Sequence, residues 1–223
     1  MRAFFRFLTT PFRWMPWYLW LALAGIAAWF GRGILIIIAT IIAFHPIPVP
    51  PLFQGEAETV EEARLQDLRH FRHVRRNDRS MTEAMRAEFD ARTAELREGA
   101  GELSDAEFML GLARAQAVID NGHSNTSAVR LVRDFPRLPV RSAFMDGELR
   151  ILRVRGSNTD LLGARILTVD GEPVEAAIAR FRDVFGGNDA YFRSVVPLLL
   201  ETPAMLTAVG LGNDDAVVLD LEL

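Results

Sequence analysis

Residues 161–174 read LLGARILTVDGEPV, and the fold turns on how they are read. Gly163 supplies a turn and Ala164 to Val169 form a half-buried strand. Asp170-Gly171 is a tight-turn dipeptide, and Pro173 stands in the first turn of a helix expected to reach about Arg182. The surroundings keep the strand-like period. Ala143 to Met145 and Glu148 to Val154 flank Asp146-Gly147, a second hairpin signal. A further helical stretch is expected over about Asp189 to Ala208. The sequence ends on AVVLDLEL, residues 216–223, a strand pattern with two possible fates. It is expected to leave a free apolar edge open to pairing with other chains; the alternative is that it closes onto the strand at Ala164 to Val169.

Upstream of this region the period is helical. Thr59-x-x-Glu62 and Ser80-x-x-Glu83 read as capping boxes, each opening a helix of about 18 residues. Their apolar stripes are thin: Leu65, Leu68, Phe71 and Val74 on one, Met81, Met85 and Phe89 on the other. Such a pair makes an αα-hairpin with one buried seam. In a third helix Ser104 and Glu107 form the box, Leu103 and Phe108 the hydrophobic staple. Phe108, Leu112, Ala115 and Ile119 follow one face to a stop at Asp120-Asn121-Gly122. The predicted class is α+β, with a helical region over residues 56–122 and a small β-rich part with flanking helices over 123–223.

The N-terminal residues are different in kind. Residues 17–44, WYLWLALAGIAAWFGRGILIIIATIIAF, are almost continuously apolar and are expected to form a transmembrane helix, since a span needs about 20 such residues. Arg32 is then expected to snorkel toward an interface. A cleaved signal peptide would need a shorter apolar core and a small-residue site, which Phe44-His45-Pro46 does not offer. Residues 1–45 carry Arg2, Arg6, Arg13 and Arg32 and no acid, a formal +4; the whole chain is −4, so residues 46–223 carry −8. The positive-inside rule places residues 1–16 in the cytoplasm and the acidic domain outside it, anchored in the inner-membrane lipid bilayer. Residues 45–55, containing PIPVPP, are expected to be a stiff extended linker.

An acidic domain argues against a nucleic-acid partner, because neutralising phosphates needs a basic face. Cysteine is absent, which excludes disulfides and thiolate chemistry. All 25 basic residues are arginine, and without lysine no Schiff base, lysine general base or Ser-Lys dyad can form within the chain. His123, flanked by Asp120 and Ser124 after a helix end, is placed where an imidazole could meet a carboxylate and a hydroxyl; the alternative is a loop histidine bonded to its own turn. His70-x-x-His73 puts two imidazoles on one helix face, with Asp67 three residues before. Arg69, Arg72, Arg75 and Arg76 crowd that helix and oppose a cation, so a solvated face is expected, with no metal and no cofactor.

These segments, in this order, resemble the C-terminal-processing (tail-specific) serine peptidases, in the branch related to the interphotoreceptor retinoid-binding protein. LLGARILTVDGEPVEAA is similar to the second half of that family's PDZ-like module, where GD-x-I-L-x-V-D/N-G-x-P-V recurs. Asp120-Asn121-Gly122-His123 is like its DGH turn, Leu138-Pro139 like the start of a strand, and Asn188 to Leu211 like its Asn-started, proline-containing helix. The resemblance covers roughly residues 104–223 and marks Asp120, Gly122, His123, Gly163, Asp170, Gly171 and Pro173 as motif positions. It implies a non-catalytic, PDZ-like region connected with proteolysis, whose catalytic α/β domain would begin about where the sequence stops. No serine here sits in a G-x-S-x-G elbow, so no catalytic residue is expected and the chain by itself should be inactive. The implied partner is a separately encoded catalytic domain. The other reading is a standalone module of the cell envelope that holds a peptide or protein.

Overall fold

The structure, a computed structural model, describes residues 17–44, 55–124, 126–213 and 216–223. The chain divides into two compact units, Met1–Gly55 and Glu56–Leu223. In the first, α1 (Trp17–Phe44) is a helix of 28 residues, with the bounds the sequence predicts. The expectation that it spans a membrane is overturned: no helix among the described residues is long and apolar enough to do so. Arg32 stands inside its apolar run, and a charge there opposes burial in hydrocarbon. The topology derived from that span loses its premise. The cytoplasmic segment 1–16, and all but the last residue of the linker 45–55, lie outside the described residues.

The second unit is α+β. Three helices come first: α2 (Val60–Asn77), α3 (Glu83–Glu98) and α4 (Asp105–Ala117). Thr59 Oγ1 accepts from the Glu62 N–H at 3.1 Å, while the Glu62 carboxylate reaches back one residue further, to the Glu58 N–H at 2.7 Å. At α4 the predicted box forms, with Ser104 N–H donating to Glu107 Oε2 at 2.7 Å and Glu107 N–H to Ser104 Oγ at 3.2 Å. At α3 the start differs from the expected Ser80: the N-cap is Thr82, whose hydroxyl accepts from the Met85 N–H at 3.2 Å. Two small apolar clusters join the three helices. One gathers Leu68, Leu96 and Phe108 with Leu103 and Leu112; the other gathers Met81, Phe89, Ala115 and Ile119 with Phe71, Val74 and Met85. Gly111 lets α4 close on α3, since a Cβ there would collide with Leu96.

After a short helix that the sequence reading missed, α5 (Ala128–Val132), the chain enters a five-stranded antiparallel sheet. Strands β1 (Val140–Met145) and β2 (Glu148–Val154) make the predicted hairpin around Asp146-Gly147, both at positive φ. The predicted strand at 164–169 is β3 (Arg165–Val169); the Asp170-Gly171 turn leads to the two-residue β4 (Glu172–Pro173). Pro173 is the N-cap of α6 (Val174–Ala179), which is shorter than expected. The helical stretch foreseen at 189–208 is two helices, α7 (Asp189–Leu200) and α8 (Pro203–Thr207). Pro203 forces the break, because the residue before a proline is driven out of the α region, and Thr202 sits at φ −118°, ψ 102°.

The expected free edge at the last strand is overturned. β5 (Leu219–Glu222) pairs antiparallel with β3, placing Ile166 opposite Leu221 and Val169 opposite Leu219. One large core lies under the sheet. Leu149, Ile151, Ile166 and Val169 supply its strand side, and Phe181, Phe192, Val196, Leu199 and Met205 its helix side.

Candidate functional site

The structure places the motif residues in two groups. Asp120, at φ 48°, follows the end of α4, and its Oδ1 accepts from the Gly187 N–H at 3.0 Å. A Cβ on Gly186 would meet Asp120 Cα at 2.8 Å and the Asn121 nitrogen at 3.0 Å, so the glycine pair before α7 exists to receive this turn. Asn121 Oδ1 accepts from the His123 N–H at 2.9 Å, and Ser124 Oγ donates to Asp78 Oδ2 at 3.3 Å. Asp120 and Ser124 are thus engaged elsewhere, and the exposed His123 belongs to a turn bonded to itself. Gly122 lies against Gly187, at 3.2 Å from the position of a Cβ there.

The second group builds the joint between β3, β4 and β5. Gly163, at φ 86°, donates from its N–H to the Ile151 carbonyl at 2.9 Å and closes the turn before β3. Asp170 (φ 50°) and Gly171 (φ 79°) form the left-handed turn, with Pro173 beyond it at the head of α6. Asp170 also holds the lead into β5: its N–H donates to the Val218 carbonyl at 2.8 Å, and its Oδ1 accepts from the Val218 N–H at 3.0 Å. Its Oδ2 is buried against Gly212 without a hydrogen-bond partner among the described residues. These positions shape backbone; none presents a group to solvent chemistry.

No group of three side chains suited to a metal ion exists among the described residues. His70 and His73 pack edge to face, ring centroids 5.4 Å apart. Burial raises the carboxyl of Asp67 above its ordinary value, partly countered by His70.

What the sequence reading missed is a cleft of about 320 Å³ at the open end of the β1–β2 hairpin, lined by Arg137, Arg141, Arg153 and Arg155 with Leu138 and Val154. The pairing of β1 with β2 passes from Arg141↔Arg153 to Ser142↔Ile151, so Leu152 is an extra residue, a β-bulge. Two arginines stand directly opposite each other there, an arrangement that like charges disfavour. Arg141 is turned inward, donating to the Val140 carbonyl at 2.6 Å and to Glu201 Oε2 at 3.2 Å. Arg137, Arg153 and Arg155 form no ion pair among the described residues.

Behind the cleft lies Glu201, its side chain 4% exposed. Its Oε1 accepts from the Ser142 N–H at 2.6 Å and from Ser142 Oγ at 3.0 Å, and its backbone carbonyl accepts from the Leu138 N–H at 2.8 Å. It therefore occupies an outward-facing donor of the edge strand β1 and pins the loop that precedes it. Burial pushes this carboxyl above the ordinary glutamate value; the Ser142 hydrogen bonds and the Arg141 and Arg137 charges act in the other direction without offsetting it. A signal for the cleft was available in the sequence, because Arg141 and Arg153 lie almost symmetrically about the Asp146-Gly147 turn. No protein family, no curated protein and no solved structure matches the chain.

Proposed function

We propose that residues 56–223 form a non-catalytic binding module that holds a carboxylate-bearing peptide or protein segment in the four-arginine cleft. One observation carries this reading: Arg137, Arg153 and Arg155, which form no ion pair among the described residues, line one cleft at a bulged hairpin, where Arg153 stands opposite Arg141 and the like charges need a counter-charge. Guanidinium forks match carboxylates in bidentate geometry, and a charge-assisted bond of that kind is about twice as strong as a neutral one. The buried Glu201 already engages Arg141 and fixes the loop, so the other three arginines are presented on a stiff frame. The test uses the full chain and labelled random heptapeptides, made with either free acid or amidated ends. Saturable binding should require the acid and fall at least tenfold in the Arg153→Gln/Arg155→Gln variant. Equal binding of acid and amide, or binding untouched by the double substitution, would sink the reading.

A second reading, the non-catalytic portion of a tail-specific-peptidase-like protein, draws its support from the Asp170-Gly171 turn that leads through Pro173 into α6. Recovery of the chain from cells together with a fluorophosphonate-labelled serine peptidase would favour it. Recovery of the chain alone would count against it.

A further inference from the structure

We propose that a cleft between α2 and α3 is a separate binding site for a phosphate-type anion. It measures about 430 Å³ and is lined by Arg72, Arg75 and Arg76 from α2 and by Asp90, Thr93, Ala94 and Arg97 from α3. The volume falls in the range of small-ligand sites, roughly 300–1,000 Å³. Its depth comes from the short side chains of Thr93 and Ala94 on α3. Thr93 is buried, and its hydroxyl donates to the Phe89 carbonyl at 2.9 Å. Beneath lies the stacked pair Phe71–Phe89, centroids 5.2 Å apart, which keeps the two helices in place under the cleft.

The charges in the cleft are not balanced. Asp90 is the one carboxylate among the lining residues, and it is taken by Arg75, at 2.6 Å. Arg72, Arg76 and Arg97 form no ion pair among the described residues. Arg72 and Arg76 are spaced i, i+4 on one helix, where like charges are unfavourable, and Arg97 faces them from the other wall. Nearby acids are committed elsewhere: Glu88 to Arg92, and Asp78 to Ser80 and Ser124. Arg86 steadies the end of α2, donating to the Arg75 carbonyl at 2.6 Å and the Asp78 carbonyl at 3.2 Å, so the arginine-bearing turn is anchored before any ligand arrives.

The Arg75–Asp90 pair shows that one carboxylate satisfies one guanidinium here. Three remain, on two walls. An anion that matches them needs several acceptor oxygens spread around one centre, which is the chemistry of a phosphate. A long polyanion is disfavoured, because residues 46–223 carry a formal −8 and would repel it beyond the cleft. The site is distinct from the four-arginine cleft and does not depend on it.

The test is calorimetric titration of the full chain with sodium pyrophosphate, against sodium acetate at matched ionic strength. Saturable pyrophosphate binding is expected. It should weaken at least tenfold in Arg76→Gln/Arg97→Gln and stay within twofold in Arg153→Gln/Arg155→Gln. Arg97→Lys, which keeps charge and loses the fork, should fall between. Pelleting with phosphatidylglycerol or phosphatidylcholine vesicles distinguishes the source of the phosphate: a wild-type excess on the anionic vesicles, lost in Arg76→Gln/Arg97→Gln, identifies a lipid headgroup. Pyrophosphate binding without that excess identifies a soluble phosphate ester. The proposal is overturned if wild type and the Arg76→Gln/Arg97→Gln variant, both folded by far-UV circular dichroism, behave alike toward pyrophosphate and both vesicles.

Discussion

The helical part, α2 to α4, and the sheet part of the same unit solve one problem by different means. The sheet part buries a single large core in which Phe181, Leu199, Val196 and Met205 are fully enclosed. Apart from Ala106, Leu110 and Ala113 of α4, which join that large core, the helical part is held by two small clusters, and its polar joints do correspondingly more. Arg64 is the clearest case. Only 7% exposed, it donates to the Ala100 carbonyl at 2.9 Å, to the Leu103 carbonyl at 2.5 Å and to Asp105 at 2.7 Å, with its guanidinium over the Phe108 ring. Arg92 similarly reaches the Arg114 carbonyl at 3.1 Å. Where apolar stripes are thin, arginine forks on loop and helix-end carbonyls supply the tertiary contacts. Lysine offers a point charge rather than a planar fork, so a lysine-free chain is well furnished for this.

The largest effect should come from removing one such joint. Arg64→Met keeps the length and apolar stem but strands two backbone carbonyls, an expected loss of about 1–3 kcal/mol. In a unit of this size that is about 2–4 °C of Tm per kcal/mol, readable by far-UV circular dichroism. Arg180→Met is the counterpart in the sheet part: Arg180 is exposed, pairs with Glu172 and donates to the Val209 carbonyl at 2.8 Å. It should cost clearly less. If Arg180→Met proves as damaging as Arg64→Met, the contrast between the two regions is wrong.

A smaller effect concerns Glu201, the one buried charge of the sheet part among the described residues. Its folded value is raised, so the folded state holds the proton more tightly than the unfolded chain. The stability it contributes is present in acid. That contribution is lost as pH climbs past about 4.3, the unfolded glutamate value, and through the higher folded value. Asp78 and Glu107, both lowered by hydrogen bonds from Ser80 and Ser104, change in the opposite sense, so the wild-type curve alone is not diagnostic. Glu201→Gln keeps an acceptor for Ser142 and removes the titration. Urea midpoints between about pH 4 and 7 should show wild type losing ground to the variant as pH rises. A constant difference would show that Glu201 does not titrate as its burial demands.

How much of this could be read in advance depended on whether the signal was local. Both Asp-Gly turns, the Ser104 box and the α4 face are set by neighbouring residues, and they appear where the sequence puts them. Arg64 inside the α2–α4 joint and Glu201 behind Ser142 are contacts across 36 to 60 residues, invisible to periodicity. The cleft between α2 and α3 likewise depends on how two helices pack, whereas the β1–β2 cleft left its trace in the near-symmetry of Arg141 and Arg153 about their turn. The break at Thr202 was legible, since Pro203 stands in the sequence, but the apolar run around it masked the signal. α1 taught the opposite lesson: a helix can be read correctly from composition while the membrane role attached to it fails.

The smallest predicted effect tests where α3 begins. The pattern Ser80-x-x-Glu83 is the better written capping box, yet the cap is Thr82, backed by a Met85 sulfur that accepts from the Thr82 N–H at 3.5 Å. Ser80 serves the preceding helix. Its hydroxyl and N–H both donate to Asp78 Oδ1, at 2.5 and 2.8 Å, and Asp78 is the C-cap of α2. Burial explains the choice. With the cap at Thr82, Met81 precedes the helix and sits 5% exposed in the cluster with Phe89; a start at Ser80 would make Met81 the first helical residue and draw it away. Thr82→Ala should therefore cost about 1 kcal/mol, as Ser104→Ala should at α4, and Ser80→Ala clearly less. If Ser80→Ala is the costlier, α3 starts two residues earlier, the seam of Met81, Met85 and Phe89 is out of register, and the arginines facing α2 across the cleft turn with it.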